Sequence, residues 1–324
     1  MNSTSRTGLS ALALVFATVS WGALFHIGKD ALNYLDPYWF TAVRYILATV
    51  FVMALLLLTG KPRWEILRSN WPSLCLYGIL GYGVFGTMVF VGLSLSVPSH
   101  GAIIMATIPI TALLVSRFLD GQQADNSLWL VSTLAIIGVS LVSGVWSADS
   151  NSNASPILGD LIALIGTLGW VFYTRGQKKI SDIRVLEYTA FTTLTAVPFI
   201  ALFAGLLTVL GVSELPSTEN LIASAPSMLF VVILSTVLAA LAYNFGVKNL
   251  GMHNGILFIN LVPVSAWLIS TYRGIAPTSI ETIGTLLVVA ALLFQAYRIK
   301  NPLNIKSKLP SSPTGKTANA NTNV

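Results

Sequence analysis

The chain has 324 residues, of which 54% are hydrophobic and only 9% charged, with a mean hydropathy of +0.76. A soluble domain needs about 25% charged residues to face water, so lipid is the solvent for much of this chain. The single cysteine, Cys75, excludes an internal disulfide or a thiolate cluster, and His26, His100 and His253 are too far apart for a zinc spacing. The net charge of +6 sits between apolar runs, a pattern that encodes membrane orientation rather than nucleic-acid binding.

A membrane helix needs about 20 mostly apolar residues. In chain order the sequence predicts ten: 9–28, 38–58, 73–94, 100–118, 127–145, 157–175, 187–210, 226–247, 254–272 and 281–299. The first follows Arg6 and ends in Gly28-Lys29-Asp30-Ala31 without a small-x-small site, which reads as a retained helix rather than a cleaved signal peptide. Asp36-Pro37 separates runs one and two, and Gly60-Lys61-Pro62 runs two and three. Ser96-Val97-Pro98-Ser99 leaves almost no loop before run four. Asp120-Gly121, Ser150-Asn151-Ser152-Asn153 and Leu215-Pro216-Ser217 mark later breaks. The expected organisation is a cytoplasmic N-terminus at 1–8, five-helix units at 9–145 and 157–299, and a tail at 300–324. That tail is rich in Pro, Ser, Thr, Asn and Lys and is expected to be disordered and cytoplasmic. Only Lys29 and Arg273 fall outside if the N-terminus is inside, with Arg44 within the second helix; every other Lys and Arg falls inside. That bias predicts an even number of crossings with both termini cytoplasmic.

The two units resemble each other. A shift of 154 places Gly101 on Gly255, Pro109 on Pro263, Ala112 on Ala266, Leu114 on Leu268 and Ser116 on Ser270. A shift of 149 places Leu12 on Leu161, Thr18 on Thr167, Trp21 on Trp170 and Lys29 on Lys178. Five helices is an odd number, so the second copy enters from the opposite side. The expected fold is an all-α membrane protein, with ten transmembrane helices in two inverted five-helix repeats.

Trp21-Gly22-x-x-Phe25-x-x-x-Lys29, the Pro37 turn followed by Arg44, and Gly159-Asp160-Leu161-x-Ala163-Leu164 running on to Trp170 and Tyr173 resemble the ten-helix EamA-type members of the drug/metabolite transporter superfamily. Pro109 and Pro263 match that family's prolines in helices four and nine, and the resemblance spans 9–299. Asp120-Gly121 and Arg273-Gly274 depart from the Gly-Glu usual after those helices. The resemblance implies solute transport, most often export of a metabolite or amino acid.

Ionisable groups at membrane depth are expensive and mark candidate functional positions. Arg44 reads either as an outer-vestibule charge for an anionic group or as a residue that snorkels or pairs with Asp30 or Asp36. Lys29 suits an interfacial anchor or a vestibule contact, and His26, on the same face, a pathway contact or an interhelical hydrogen bond. Asn244 and Asn260 need partners inside the bundle. Either they join helices or they line a cavity, since Pro263 frees a backbone carbonyl close to Asn260. Trp21, Tyr82, Trp170, Tyr173 and Tyr243 are candidates for an aromatic-lined cavity. Trp39, Trp64, Trp71 and Trp146 read as interfacial belt, and Pro109 and Pro263 as hinges. No acid falls in the middle of any run and no phosphate-cradling loop occurs, which argues against primary active transport by this chain. The expectation is an inner-membrane secondary transporter that exports a small polar or zwitterionic metabolite by alternating access. It needs no cofactor, metal or nucleic acid; a monomer suffices, with a homodimer left open. An intramembrane enzyme acting on a lipid head group is the alternative, and it lacks the clustered acids or metal ligands it would need.

Overall fold

The computed structural model describes residues 3–95, 104–105, 107–121, 126–142, 156–180, 182–272, 274 and 278–300, and these are helical apart from short turns and caps, with no strand among them. His100, Trp146, Arg273 and the tail beyond Lys300 lie outside the described residues. α1 is Ser3–Ala31 and α2 Pro37–Thr59. The Asp36 carboxylate caps α2 by accepting from the Tyr38 and Trp39 N–H groups, with Pro37 in the first turn where no N–H is needed. α3 runs over Trp64–Leu95 and widens into a π-helical stretch at Ile79–Val84. α4 is Ile108–Asp120, α5 Asn126–Val142, α6 Pro156–Lys179 and α7 Val185–Val209. α8, Thr218–Leu250, carries a second π stretch at Val231–Leu238. α9 is assembled from Met252–Ile256, a 3₁₀ turn at Leu257–Asn260 and Leu261–Tyr272; α10 is Ser279–Lys300.

Six helices among the described residues are long and apolar enough to cross a membrane: α1, α2, α3, α7, α8 and the Met252–Ile269 stretch of α9. Shorter apolar stretches lie at Leu128–Gly138 and Thr282–Phe294. Large side chains such as Leu12, Leu58, Leu202, Val209, Leu286 and Leu293 stand exposed around the bundle. Such an apolar exterior suits a surface covered by lipid. The chain is a multi-pass membrane protein.

Several helices are longer than hydropathy alone predicts. α3 starts at Trp64 rather than near 73, and α8 at Thr218 rather than near 226, each absorbing a proline (Pro72, Pro226). The extra turns are polar, so a window that counts apolar residues cannot register them. α1 begins at Ser3, inside the segment predicted as an N-terminal extension.

Pairing is reciprocal across the two units. α1 packs on α8 and α9, and α6 packs on α3 and α4; α2 packs on α7, and α5 on α10. Glycines permit the closest approaches. A Cβ on Gly22 of α1 would lie 2.5 Å from the Ser265 Cβ of α9, and one on Gly169 of α6 would lie 2.2 Å from the Leu80 carbonyl oxygen of α3. Both are closer than any side chain allows, and lipid, unlike water, does not push helices together, so small residues at such contacts let backbone atoms supply the packing.

The two prolines read as hinges differ. Pro109 lies in the first turn of α4, where a missing N–H breaks no helical bond, so it is not a mid-helix kink. Pro263 follows the 3₁₀ turn of α9 and cannot donate to the carbonyl of Ile259, four residues earlier in that turn. The change of helical type in α9 coincides with this proline.

Candidate functional site: an aromatic cavity with a buried arginine

The centre of the bundle is built from rings. Trp21 of α1, Trp170 of α6 and Tyr243 of α8 meet mutually, with all three centroid separations at 5.2 Å. Trp170 continues to Phe85 and Tyr173, Tyr173 to Tyr82 and Tyr188, and Tyr82 to Tyr45, each step about 5 Å. Tilted and edge-on pairs at this spacing add to burial because ring quadrupoles are complementary. A cavity opens beside them, walled by Trp21, Arg44, Tyr45, Tyr82, Trp170 and Ser235 among others. Its volume is about 40 Å³, room for a few waters.

The π stretches explain why these residues reach the cavity. A π turn shifts the register by one residue and re-aims the side chains that follow. Tyr82 comes from the first stretch, Ser235 and Thr236 from the second. The Thr236 hydroxyl donates to the Val231 carbonyl five residues back at 2.8 Å. The Trp21 indole donates to the Ser235 carbonyl at 2.9 Å, while the Ser235 hydroxyl donates to the Ser20 carbonyl, also at 2.9 Å. Trp21 is therefore held by backbone as well as by rings.

A polar layer lies behind the rings. The Asn244 amide donates to the Tyr173 hydroxyl at 2.6 Å and to Thr189 Oγ1 at 2.9 Å. The Tyr173 and Tyr82 hydroxyls are 2.6 Å apart, and Tyr188 donates to the Tyr173 carbonyl at 2.5 Å. These bonds link α3, α6, α7 and α8 among side chains buried inside the bundle, where a lost partner is not replaced.

Arg44 is the exception in this interior. It is 5% exposed, and its Nη2 donates to the Tyr45 hydroxyl at 2.7 Å. Its Nε and Nη1 are buried without any partner. Its Cζ lies 4.6 Å from the Tyr45 ring centroid and 5.5 Å from that of Phe90. A buried charge within a membrane is costly, up to about 3 kcal/mol on insertion scales when it sits at mid-helix, and a desolvated cation–π contact returns about 2 kcal/mol. Asp36 is occupied elsewhere, capping α2 and accepting from the Ser213 hydroxyl at 2.5 Å. The side chain neither snorkels outward nor joins a carboxylate.

At the opposite end of the bundle Arg63, Arg184 and Arg175 each meet a carboxylate. The Glu187 carboxylate, completely buried at the start of α7, takes Arg63 Nη2 at 2.6 Å and Arg184 Nη2 at 2.6 Å. Arg63 also reaches Asp182 at 2.8 Å, and Arg184 the Lys61 carbonyl at 2.7 Å. The hydrogen bonds that Arg63 donates to the Glu187 carboxylate raise the Arg63 pKa above its usual value. Nearby, Arg175 of α6 pairs with Asp120 of α4, and His253 Nε2 lies 3.1 Å from Ser116 Oγ. The α2–α3 turn, the α6–α7 turn and the ends of α4 and α9 are thereby joined.

The structure brings together Trp21, Tyr82, Trp170, Tyr173, Tyr243 and Asn244, with the first three and Arg44 in the cavity wall. His26 Nε2 contacts the Ala266 carbonyl at 2.9 Å on the α1–α9 face, and Lys29 is exposed. Asn260 does not line this cavity; it is buried on the 3₁₀ turn of α9, with both amide atoms unpartnered. Sequence reasoning missed Tyr45, Phe85 and Ser235. Tyr45 was findable as the neighbour of an intrahelical arginine. Ser235 was not, because its carbonyl and not its side chain holds Trp21. The Glu187 cluster also escaped notice, since its acid sits at a helix start and its two arginines come from separate turns.

Comparison with known proteins agrees with this architecture. The model of the EamA-like transporter family matches residues 8–144 and again 157–297. The chain is 29% identical over 293 residues to the uncharacterized transporter YrdR of Bacillus subtilis, covering 88% of this chain and 90% of that one. It is also 29% identical to the uncharacterized transporter YyaM of the same organism, over 90% of this chain and 94% of the other. The uncharacterized inner membrane transporter YedA of Escherichia coli K12 is 23% identical, over 81% and 82%. A solved crystal structure shares the fold with a TM-score of 0.70 at 19% identity, covering 93% of this chain and 97% of its own. The chain belongs to the EamA-like transporter family.

Proposed function

We propose that this EamA-like transporter is a secondary transporter of the inner membrane that exports a small polar or zwitterionic metabolite, such as an amino acid, by alternating access. Ten crossings in two inverted repeats, with both termini cytoplasmic, form the frame. The observation that carries the reading is the aromatic cavity at the junction of the two units, with room for a few waters. The reciprocal packing supports it: exchanging the units turns α1 on α8 and α9 into α6 on α3 and α4, and leaves α2 on α7 and α5 on α10 unchanged. A pseudo-two-fold axis in the membrane plane produces that pattern, and substrate sites in such folds lie near the midplane at the repeat interface.

In this mechanism the Glu187 cluster and the Arg175–Asp120 pair close the cytoplasmic end, and Ser213–Asp36 ties α2 to the α7–α8 turn at the outer end. Breaking one set while keeping the other exposes the cavity to one side. Purified protein in liposomes loaded with labelled amino acids and organic acids should show saturable exchange that Trp21→Ala and Trp170→Ala reduce about tenfold or more, the loss expected when an anchoring ring leaves a binding site. No saturable exchange for any solute class would overturn the reading. A reporter enzyme fused after Lys300 should be active only in its cytoplasmic form, and a periplasmic signal would sink the ten-crossing topology.

A further inference from the structure

We infer that Arg44 is the anion-binding group of the central cavity, and that the solutes this site takes are small carboxylates with an apolar body, recognised through the carboxylate. The inference deepens the transporter reading and rests on it for the cavity's purpose, but its test is binding, which does not require transport. Four observations converge. Arg44 is nineteen-twentieths buried and lines the cavity. Its Nε and Nη1 donors have no partner, although buried donors in folded proteins are almost always satisfied. Tyr45 holds Nη2 at 2.7 Å, which fixes the guanidinium plane before any ligand arrives. None of the described residues lining the cavity carries a carboxylate.

The chemistry of the ligand follows from that inventory. A guanidinium stays charged at every physiological pH, and its planar donor set matches a carboxylate. Trp21, Tyr82, Phe85 and Trp170 offer apolar faces to the remainder of the solute. An ammonium group finds no acid in the wall, so in a zwitterion the carboxylate carries recognition and the amine adds little. A simple amine meets Arg44 as a like charge. Since the cavity admits only a few waters, an occupied state separates α1 and α6 from α2 and α3, and the free donors of Arg44 become the gain that binding offsets against that opening.

The test uses the purified full-length protein in detergent and a matched series: 3-phenylpropionate, phenylalanine, 3-phenylpropanamide and 3-phenylpropylamine, each at about 10 mM and constant ionic strength. Anything that binds the folded state alone raises its melting temperature. The expected result is a rise of about 2 °C or more with the two carboxylates and none with the amide or amine. Arg44→Gln removes the carboxylate response, and Arg44→Lys retains part of it. A second measurement uses the unaltered protein, so the proposal stays testable if Arg44→Gln does not fold: 3-phenylpropionate, but not the amide, should slow phenylglyoxal modification of Arg44 read by mass spectrometry. Equal shifts from acid and amide, no shift from either carboxylate, or a full carboxylate response in Arg44→Gln overturns the proposal. Carboxylate-specific binding in a protein that shows no exchange in liposomes would instead overturn the transport reading and leave the Arg44 site intact.

Discussion

Arg44 and Arg63 lie at opposite ends of α2 and live by opposite rules. Arg63, in the turn beyond the helix, shares the buried Glu187 carboxylate with Arg184 and holds Asp182 as well. Arg44, in the second turn of the helix, has a tyrosine hydroxyl and two aromatic faces but no acid. An arginine whose donors are spent on its own chain is a staple. One with buried donors left without a partner weakens the fold unless a ligand takes them. On the proposed reading, the cluster at one end closes the bundle and Arg44 in the cavity recognises the solute.

Substitutions at the two places should move stability and activity in different directions. The largest stability effect is expected for Glu187→Ala, which strands two arginines. Breaking a fully buried pair costs 3–5 kcal/mol, and since Arg63 and Arg184 can turn to water the expected loss is about 2 kcal/mol. A melting curve unchanged by Glu187→Ala would remove the staple from the comparison. Tyr173→Phe comes next. It leaves the Asn244 amide and the Tyr82 hydroxyl short of a partner, for about 1–2 kcal/mol, and should loosen α6 against α8. Trp21→Phe keeps a ring but drops the bond to the Ser235 carbonyl, for about 1 kcal/mol of stability and a measurable loss of exchange. The smallest stability effect is expected at Arg44. Arg44→Gln should melt at the same temperature as the parent or slightly above it, because an uncompensated buried charge is removed, while exchange falls by about 30-fold, the cost of losing one charged hydrogen-bonded contact. If Arg44→Gln instead unfolds the protein, Arg44 belongs with the staples and the contrast fails.

How legible these features were in the sequence depends on the range of the interaction. Trp21 and Trp170 were paired by their offset between the two halves, and their rings meet at 5.2 Å. Tyr82, Tyr173, Tyr243 and Asn244 stood out as polar or aromatic groups inside apolar runs, and they gather at the same place. His26, open between pathway and interhelical bond, contacts the Ala266 carbonyl. Asn260 had the same pattern and is buried on the 3₁₀ turn of α9, away from this cavity. Pro109, read as a hinge within a helix over 100–118, lies in the first turn of α4, which starts at Ile108.

Composition alone determined the solvent of this chain: with 9% charged residues, the exterior has to be lipid, and backbone groups in lipid have to be satisfied within helices. The breaks at Asp36-Pro37 and Gly60-Lys61-Pro62 then placed the ends of α2 through local chemistry, since a cap and a proline act within one turn. What only the tertiary structure decided is where polar groups point once helices meet. The π stretches in α3 and α8 shift register by one residue, and no hydropathy window detects a shift that small. Whether Arg44 faces water, a carboxylate or an empty cavity depends on Tyr45, Phe90 and the distance to every acid in the fold. That is a property of three-dimensional neighbours, and a charge is costly or useful according to them.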